Sequence, residues 1–162
     1  MASGVLISDE VVQVYNNMKV RSHGTDEKER YKLLLMCLSE DQKSIIVDHK
    51  SSLKVKDVEG VQNVFQKVVS MLPPKDCCYG LYDCNYETKE SQKEDLIFIY
   101  WAPEDAPLKK KMVSASSKVS LKSKFTGVKF EWQLNDVADK EMCTLVDKLG
   151  AGKVKSIEGI KV

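Results

Sequence analysis

The residues with the most reactive side chains are cysteine and histidine, which can act as nucleophiles or bind metal ions. The cysteines are Cys37, Cys77, Cys78, Cys84 and Cys143, and the histidines are His23 and His49. These positions include no Cys-x-x-Cys pair and no spacing typical of a Cys-His site. An odd number of cysteines cannot all pair within one chain. We therefore expect reduced thiols, with Cys37 and Cys84 buried as small apolar side chains, and neither a catalytic group nor a metal.

A second kind of chemistry, the recognition of negative charge, is indicated by the run Lys109, Lys110 and Lys111. Pro107 suits the first turn of a helix, so the lysines are predicted to lie near a helix N-terminus. Cations there oppose the helix dipole, which costs about 0.3–1 kcal/mol per exposed charge. A solvated helix face is the ordinary interpretation of such a run. The unfavourable position of the charges favours a binding role instead.

Two stripes of side chains run along this predicted helix. The first consists of Leu108, Met112, Ala115 and Val119. Their spacing of four, three and four residues is most simply explained by a stripe that faces the core. The second consists of Lys111, Ser114, Lys118 and Lys122. Small side chains beside charged ones let another protein approach closely, so the second stripe is predicted to be a contact surface.

The elements that must position these residues alternate between helix and strand. Helical periodicity predicts a helix after an N-cap at Ser8, then helices over 61–72, from Leu108 to about Phe125, and over 140–149. Strands are predicted over 31–38, 44–49, 77–86, 95–101, 128–134 and 154–157, with turns over 40–43 and 87–94. This order favours an α/β fold with a mixed sheet sandwiched by helices.

Length and composition favour one globular domain over residues 1–162. Of the 162 residues, 43% are hydrophobic and 30% charged, which excludes a disordered or fibrous chain. The net charge of +1 gives no reason to expect nucleic-acid binding. Since we find no apolar run long enough for a membrane span and no secretory leader, a cytoplasmic location is expected.

Several motifs of three to six residues are more specific than the composition. Residues 86–91 are Tyr-Glu-Thr-Lys-Glu-Ser, 101–104 are Trp-Ala-Pro-Glu, 106–109 are Ala-Pro-Leu-Lys, 124–127 are Lys-Phe-Thr-Gly, and 131–133 are Glu-Trp-Gln. With Met-Ala-Ser-Gly-Val at 1–5 and Lys-Met at 111–112, they resemble the vertebrate cofilin and actin-depolymerizing-factor (ADF) family. The resemblance runs from the first residue to about residue 150.

The resemblance implies the ADF-homology fold and a non-enzymatic monomer, without a cofactor, that binds monomeric and filamentous actin and severs and depolymerizes filaments. The residues implied to bind the monomer are Ser3, Gly4, Lys109, Lys111, Met112, Ser117 and Lys118. A second surface, used only on filaments, is implied to contain Lys93, Asp95 and Glu131.

Two kinds of regulation are also implied. A protein kinase and a phosphatase would act on Ser3, and phosphorylation there would inhibit actin binding. Phosphoinositide headgroups would inhibit it too, at Lys109, Lys111, Lys122, Lys124 and Lys129.

Two positions and one segment depart from the family pattern. Phe130 stands where vertebrate cofilins commonly have histidine, so a weaker response to pH is expected. The segment 24–32 lacks the basic run that serves as a nuclear signal, so import by that route is not expected. Gln92 replaces a common lysine, which is expected to weaken filament contact slightly.

Two other functions remain open at this point. The chain could act on actin-related-protein complexes and debranch networks, as some relatives do. Alternatively, it could be chiefly a membrane-surface protein that responds to phosphoinositides through the five lysines named above.

Overall fold

A mixed β-sheet with helices on both faces forms the centre of the molecule. The computed structural model describes residues 5–20, 29–150 and 152–162. The helices are α1 (Asp9–Val20), α2 (Val64–Ser70), α3 (Leu108–Ser123) and α4 (Met142–Gly150), with 3₁₀ turns at Val55–Val58 and Val137–Lys140. The strands are β1 (Leu6–Ile7), β2 (Tyr31–Leu38), β3 (Ser44–Val47), β4 (Leu53–Lys54), β5 (Cys78–Thr88), β6 (Gln92–Trp101), β7 (Phe130–Leu134), β8 (Val154–Ile157) and β9 (Ile160–Lys161).

The main sheet has the strand order β1-β3-β2-β5-β6-β7. The outer pairs β1–β3 and β6–β7 are parallel, whereas β2–β3, β2–β5 and β5–β6 are antiparallel. Strand β4 pairs with β2, while β8 pairs with the far half of β5 and with β9. The predicted fold class, a mixed sheet sandwiched by helices, is therefore confirmed.

Side-chain alternation along the central strands builds one core on each face of the sheet. On β6, Ile97 and Ile99 belong to a core covered by α2 and α4, whereas Phe98 and Tyr100 belong to a core covered by α1 and α3. We call these the α2/α4 core and the α1/α3 core. Because helices cover both faces of the sheet, side chains on both sides of this part of β6 are buried. This explains why residues 96–101 are apolar throughout.

Several predicted boundaries agree with the structure. Strand β2 has the predicted bounds, and α1 follows Ser8, whose Oγ accepts a hydrogen bond from the Glu10 N–H at 3.2 Å. The predicted hairpin of β2 and β3 is confirmed, although β3 ends at Val47.

Other boundaries were wrong for identifiable reasons. The charged segment 87–94 is mostly strand rather than turn, since the β5–β6 ladder continues to Glu87 and Gln92. Exposed strand ends tolerate polar side chains, so charge did not mark the turn. Helix α2 begins only after its N-cap Asn63, whose side chain accepts from the Gln66 N–H at 2.9 Å. Helix α4 begins at Met142 because a 3₁₀ turn capped by Asp136 precedes it.

None of the helices in the described part of the chain has both the length and the apolar character that a membrane span requires.

Candidate functional site

Helix α3 presents its apolar stripe to solvent. Leu108, Met112 and Val119 are 70%, 65% and 72% exposed, and Ala115 between them is exposed as well. The prediction that this stripe faces the core is therefore wrong. A row of large exposed apolar side chains is more typical of a binding surface than of a solvated helix face.

The inward side of α3 is instead lined by small residues. Ser114 and Ser117 are each 1% exposed, and Leu121 is fully buried. Beneath the helix, the Tyr79 hydroxyl donates to the Ser114 carbonyl oxygen at 2.6 Å, and the Tyr100 hydroxyl lies 2.9 Å from Ser114 Oγ. Because the strands supply large rings here, the helix packs closely only if its own inward side chains are small.

The three consecutive lysines of α3 point in different directions. Lys109 is exposed, Lys110 lies 3.3 Å from the Asp76 carboxylate, and the Lys111 ammonium donates to the Glu104 carbonyl oxygen at 3.1 Å. Pro107 is the N-cap residue and not, as predicted, part of the first turn. Lys109 is therefore the lysine of this run that is most available to a partner.

A groove of about 420 Å³ separates the start of α3 from the β2–β3 turn. It is lined by Val5, Glu40, Asp41, Gln42, Lys109 and Val113. Ser3 and Gly4, predicted to bind actin, lie outside the described residues. Val5, the residue that follows them in the chain, lines this groove together with Lys109.

Glu131 of β7 holds two lysines of α3. Its carboxylate lies 3.1 Å from Lys118 and 3.0 Å from Lys122. Burial raises the pKa of Glu131, but the two ammonium groups outweigh that effect and leave the pKa below its ordinary value. Lys118 also lies 5.5 Å from the centroid of the Tyr100 ring. The second predicted stripe is thus largely bound to the sheet, and its Ser114 is buried.

The residues predicted to contact filaments are divided between the two faces of the sheet. Lys93 and Asp95 share the face of Ile97, where the Tyr86 hydroxyl donates to the Asp95 carboxylate at 2.5 Å and Tyr86 is the register partner of Lys93. Burial, followed by this hydrogen bond, raises the pKa of Tyr86. Glu131 faces the α3 side. The structure therefore brings Lys93 and Asp95 together and separates them from Glu131.

The lysines predicted to bind phosphoinositides fall into two groups. Lys109, Lys124 and Lys129 are exposed. Lys122 is exposed as well but lies against Glu131, and the half-buried Lys111 donates to the Glu104 carbonyl oxygen. Phe130 is half-buried and packs against the α2/α4 core.

Four of the five thiols, those of Cys37, Cys77, Cys78 and Cys84, lie in environments that disfavour the reactive thiolate. Burial raises the pKa of Cys37, Cys77 and Cys78, and raises the pKa of Cys84 to about 12. Cys84 is buried as predicted, while Cys37 is half-buried. Within residues 5–20, 29–150 and 152–162, no group of three or more His, Cys, Asp or Glu side chains could hold a metal ion. His23 lies outside these ranges.

The chain is similar to known proteins both in sequence and in fold. Residues 4–150 match the model of a family described as cofilin/tropomyosin-type actin-binding proteins. Among solved structures, cofilin from Streptomyces griseoflavus is similar with a TM-score of 0.73 and 28% identity, over 91% of this chain and 98% of that one. Actin depolymerization factor 2 from Plasmodium berghei has a TM-score of 0.76 and 25% identity, over 93% of this chain and 100% of its own. The ADF-like protein UNC-60A from Caenorhabditis elegans has a TM-score of 0.70 and 25% identity, over 93% and 96%.

Proposed function

The chain belongs to the cofilin/ADF family of actin-binding proteins, and from this premise we propose that it binds monomeric and filamentous actin, severs filaments and promotes their depolymerization. The observation that carries the proposal is the exposed apolar stripe of α3 beside Lys109. An amphipathic helix with such a stripe fits a partner's hydrophobic groove.

The monomer-binding surface consists of Leu108, Lys109, Lys111, Met112, Ala115 and Val119. Met112 is flexible and can repack against a groove, while exposed Lys109 steers encounter with an acidic partner. Ser3 and Gly4 join this surface from the chain segment before Val5. Our proposed surface omits Ser117 because it is buried, and Lys118 because its ammonium group is directed at Glu131.

The filament surface consists of Lys93 and Asp95, which lie on the α2/α4 side of the sheet. Glu131 supports the monomer surface by holding α3 through Lys118 and Lys122. Binding at both surfaces favours filaments in a changed conformation, because a ligand shifts an equilibrium by its differential affinity for the two states. Severing and faster subunit loss then require no covalent step.

Two regulators act on the monomer surface. Phosphorylation of Ser3 adds negative charge to a segment that takes part in actin binding, and phosphoinositide headgroups bind Lys109, Lys124 and Lys129. Both events reduce the availability of α3 to actin.

The double substitution Lys109→Ala/Met112→Ala tests this function. Both side chains are exposed, so their loss is expected to weaken monomer binding at least about tenfold and to change the free energy of unfolding by no more than about 0.5 kcal/mol. Monomer affinity is measured by fluorescence titration, filament affinity by co-sedimentation, and stability by urea unfolding.

Lys110→Ala is the matched control. Lys110 is next to Lys109 in the chain, but its ammonium group is directed at Asp76 and away from the stripe. It is expected to bind actin like the native chain. Native affinity in the double variant, or an equal loss in the control, contradicts the proposed surface.

A further inference from the structure

We propose that Glu158 is a positioning residue: it anchors the β8–β9 hairpin on the sheet and thereby holds Lys93 and Asp95 in their filament-binding arrangement. This inference rests on the proposed filament surface. It adds the residue that keeps that surface in place.

The Glu158 carboxylate makes several polar contacts at this edge of the sheet. Its Oε1 accepts hydrogen bonds from the Lys32 ammonium at 2.7 Å, the Asn85 N–H at 2.8 Å and the Tyr82 hydroxyl at 3.2 Å. The side chains of Lys32 and Glu158 are only 6% and 5% exposed. A residue of the β8–β9 turn is therefore fixed to both β2 and β5.

The backbone at this turn adopts a conformation that needs such support. Glu158 has φ of 52°, in the left-handed region that non-glycine residues seldom occupy, and Gly159 follows with φ of 79°. The Glu158 N–H also donates to the Asn85 carbonyl oxygen at 2.8 Å. Contacts from the main chain and the carboxylate together hold the turn in this strained conformation.

The position of β8 links the anchor to the filament surface. Strand β2 pairs with β5 only as far as Tyr82, and β8 takes over as the neighbour of β5 at Tyr86. Tyr86 pairs with Ile157 on one side and with Lys93 on the other, and its hydroxyl holds Asp95. Without β8, this end of β5–β6 would be a two-stranded ribbon, which is marginally stable in water.

Stability alone does not explain a buried ion pair here. An apolar pair of similar volume is often as stable, because desolvation of two charges offsets their attraction. Removing both charges together should therefore leave the fold intact and mainly change the position of the β8–β9 hairpin on the sheet. The double variant Lys32→Met/Glu158→Ala makes this change and leaves no unpaired buried charge.

The expected results separate the two surfaces. In the double variant, filament affinity falls about tenfold and monomer affinity stays within about twofold of native, measured by co-sedimentation and fluorescence titration. Amide hydrogen exchange becomes faster over 86–94 and stays native over 33–36. The control Lys155→Ala removes the exposed ion pair of β8 with Glu87, at 3.4 Å, and is expected to change none of these.

Lys32→Met/Glu158→Gln tests rescue, since its amide oxygen can still accept from Asn85 and Tyr82. It is expected to recover native filament affinity. Native filament affinity and native exchange in the Ala variant, or an equal loss for monomer and filament, would overturn the role of Glu158. If native protein bound neither form of actin, the proposed function would fail, while the exchange result would still decide whether Glu158 anchors the hairpin.

A measurement on the native chain covers the case in which the double variant does not fold. Amides over 86–94 and over 154–161 are expected to exchange with the same opening free energy. If amides over 154–161 exchanged fast while those over 86–94 exchanged slowly, β8 would not be what holds the β5–β6 hairpin in place.

Discussion

Glu131 forms a cluster with Lys118 and Lys122, although the family resemblance assigned a different partner to each of the three residues. The resemblance placed Lys118 against monomeric actin, Lys122 against lipid headgroups and Glu131 against filaments. The structure joins them in one ion cluster with distances of 3.1 and 3.0 Å. The spacing of the lysines predicts that they share a helix face. Their acidic partner depends on the pairing of β7 with β6, which local sequence does not reveal.

Glu131→Gln is expected to destabilise the protein at neutral pH by about 0.5–1 kcal/mol, the usual contribution of a partly exposed ion pair. Because the folded-state pKa of Glu131 lies below its unfolded value, ionisation favours folding. This stabilisation is present above the unfolded pKa and disappears as the pH falls through the folded pKa. Urea unfolding at neutral and acidic pH measures the difference between native and variant proteins.

Glu104→Gln, at an exposed loop residue, is the control for Glu131→Gln. Its stability in urea should equal that of the native protein at both pH values. A stability difference for Glu131→Gln that persists in acid would show that shape, rather than charge, is responsible.

Ser3→Glu is expected to weaken binding to both forms of actin strongly, while Ser3→Ala stays active and no longer responds to the kinase. A phosphate adds roughly 1.5 to 2 negative charges and three acceptor oxygens. That charge either pairs with a lysine of this chain, such as the exposed Lys109, or is repelled by an acidic partner. Titrations with monomers and filaments measure the effect.

Ser70→Glu adds the same charge at the end of α2, on the opposite face of the sheet, and should bind actin normally. Equal affinities of phosphorylated and unmodified protein would rule out the Ser3 switch and leave actin binding itself in place.

Helix α3 shows what periodicity can and cannot predict for a whole element. Its start at Leu108 was predicted correctly and its end lies within two residues of the prediction. The prediction of its buried face was wrong, because the rule of apolar periodicity assumes that a helix supplies the apolar volume of its interface. Here Tyr79 and Tyr100 supply it from the strands, so serines face inward. The inward side is marked by helical spacing at Ser114, Ser117, Leu121 and Phe125. The pattern was missed because small polar residues are not counted as core residues.

The shortest strands show a different limit. Strands β1, β4 and β9 have two residues each, too few for an alternating pattern to be recognised. Their existence depends on partners far along the chain, such as the parallel pairing of Leu6 with Ser44. Conversely, β2 was predicted at its full length because a nearly continuous apolar run of strand length, bounded by polar segments, identifies it locally.

Ser114→Ala is expected to destabilise the protein by about 1–2 kcal/mol, because the buried Tyr100 hydroxyl loses a hydrogen-bond partner. The predicted loss belongs to the packing of α3 on the sheet, so actin affinity measured well below the unfolding midpoint should remain native. Thermal and urea unfolding measure the stability.

Ser116→Ala is the matched control, since Ser116 is exposed and its hydroxyl also donates to a helix carbonyl, that of Val113, at 3.0 Å. Its stability should change by less than about 0.5 kcal/mol. If the two variants were equally stable, the contact between Ser114 and Tyr100 would contribute nothing measurable.

At the scale of the molecule, two cores depend on the same strands. Strands β2, β5 and β6 give alternate side chains to the α2/α4 core and to the α1/α3 core. Loss of either core exposes one face of these strands to water and weakens the sheet on which the other core packs. The prediction of a single domain therefore becomes a prediction of coupled unfolding.

Leu121→Ala and Leu145→Ala test this coupling, because each removes a fully buried side chain from one core only. Each is expected to cost about 2–5 kcal/mol. Trp101 and Trp132 both lie in the α2/α4 core, so tryptophan fluorescence reports on that core. In a cooperative molecule, Leu121→Ala lowers the urea midpoint of tryptophan fluorescence as much as that of far-ultraviolet circular dichroism.

Val119→Ala, on the exposed side of the same helix, should leave both midpoints unchanged. The opposite outcome is equally specific. If Leu121→Ala lowered the circular dichroism midpoint but left tryptophan fluorescence at its native value, the α1/α3 core would unfold while the α2/α4 core stayed packed. The shared strands would then have to remain ordered with one face in water, and the two faces of the sheet would be separate folding units.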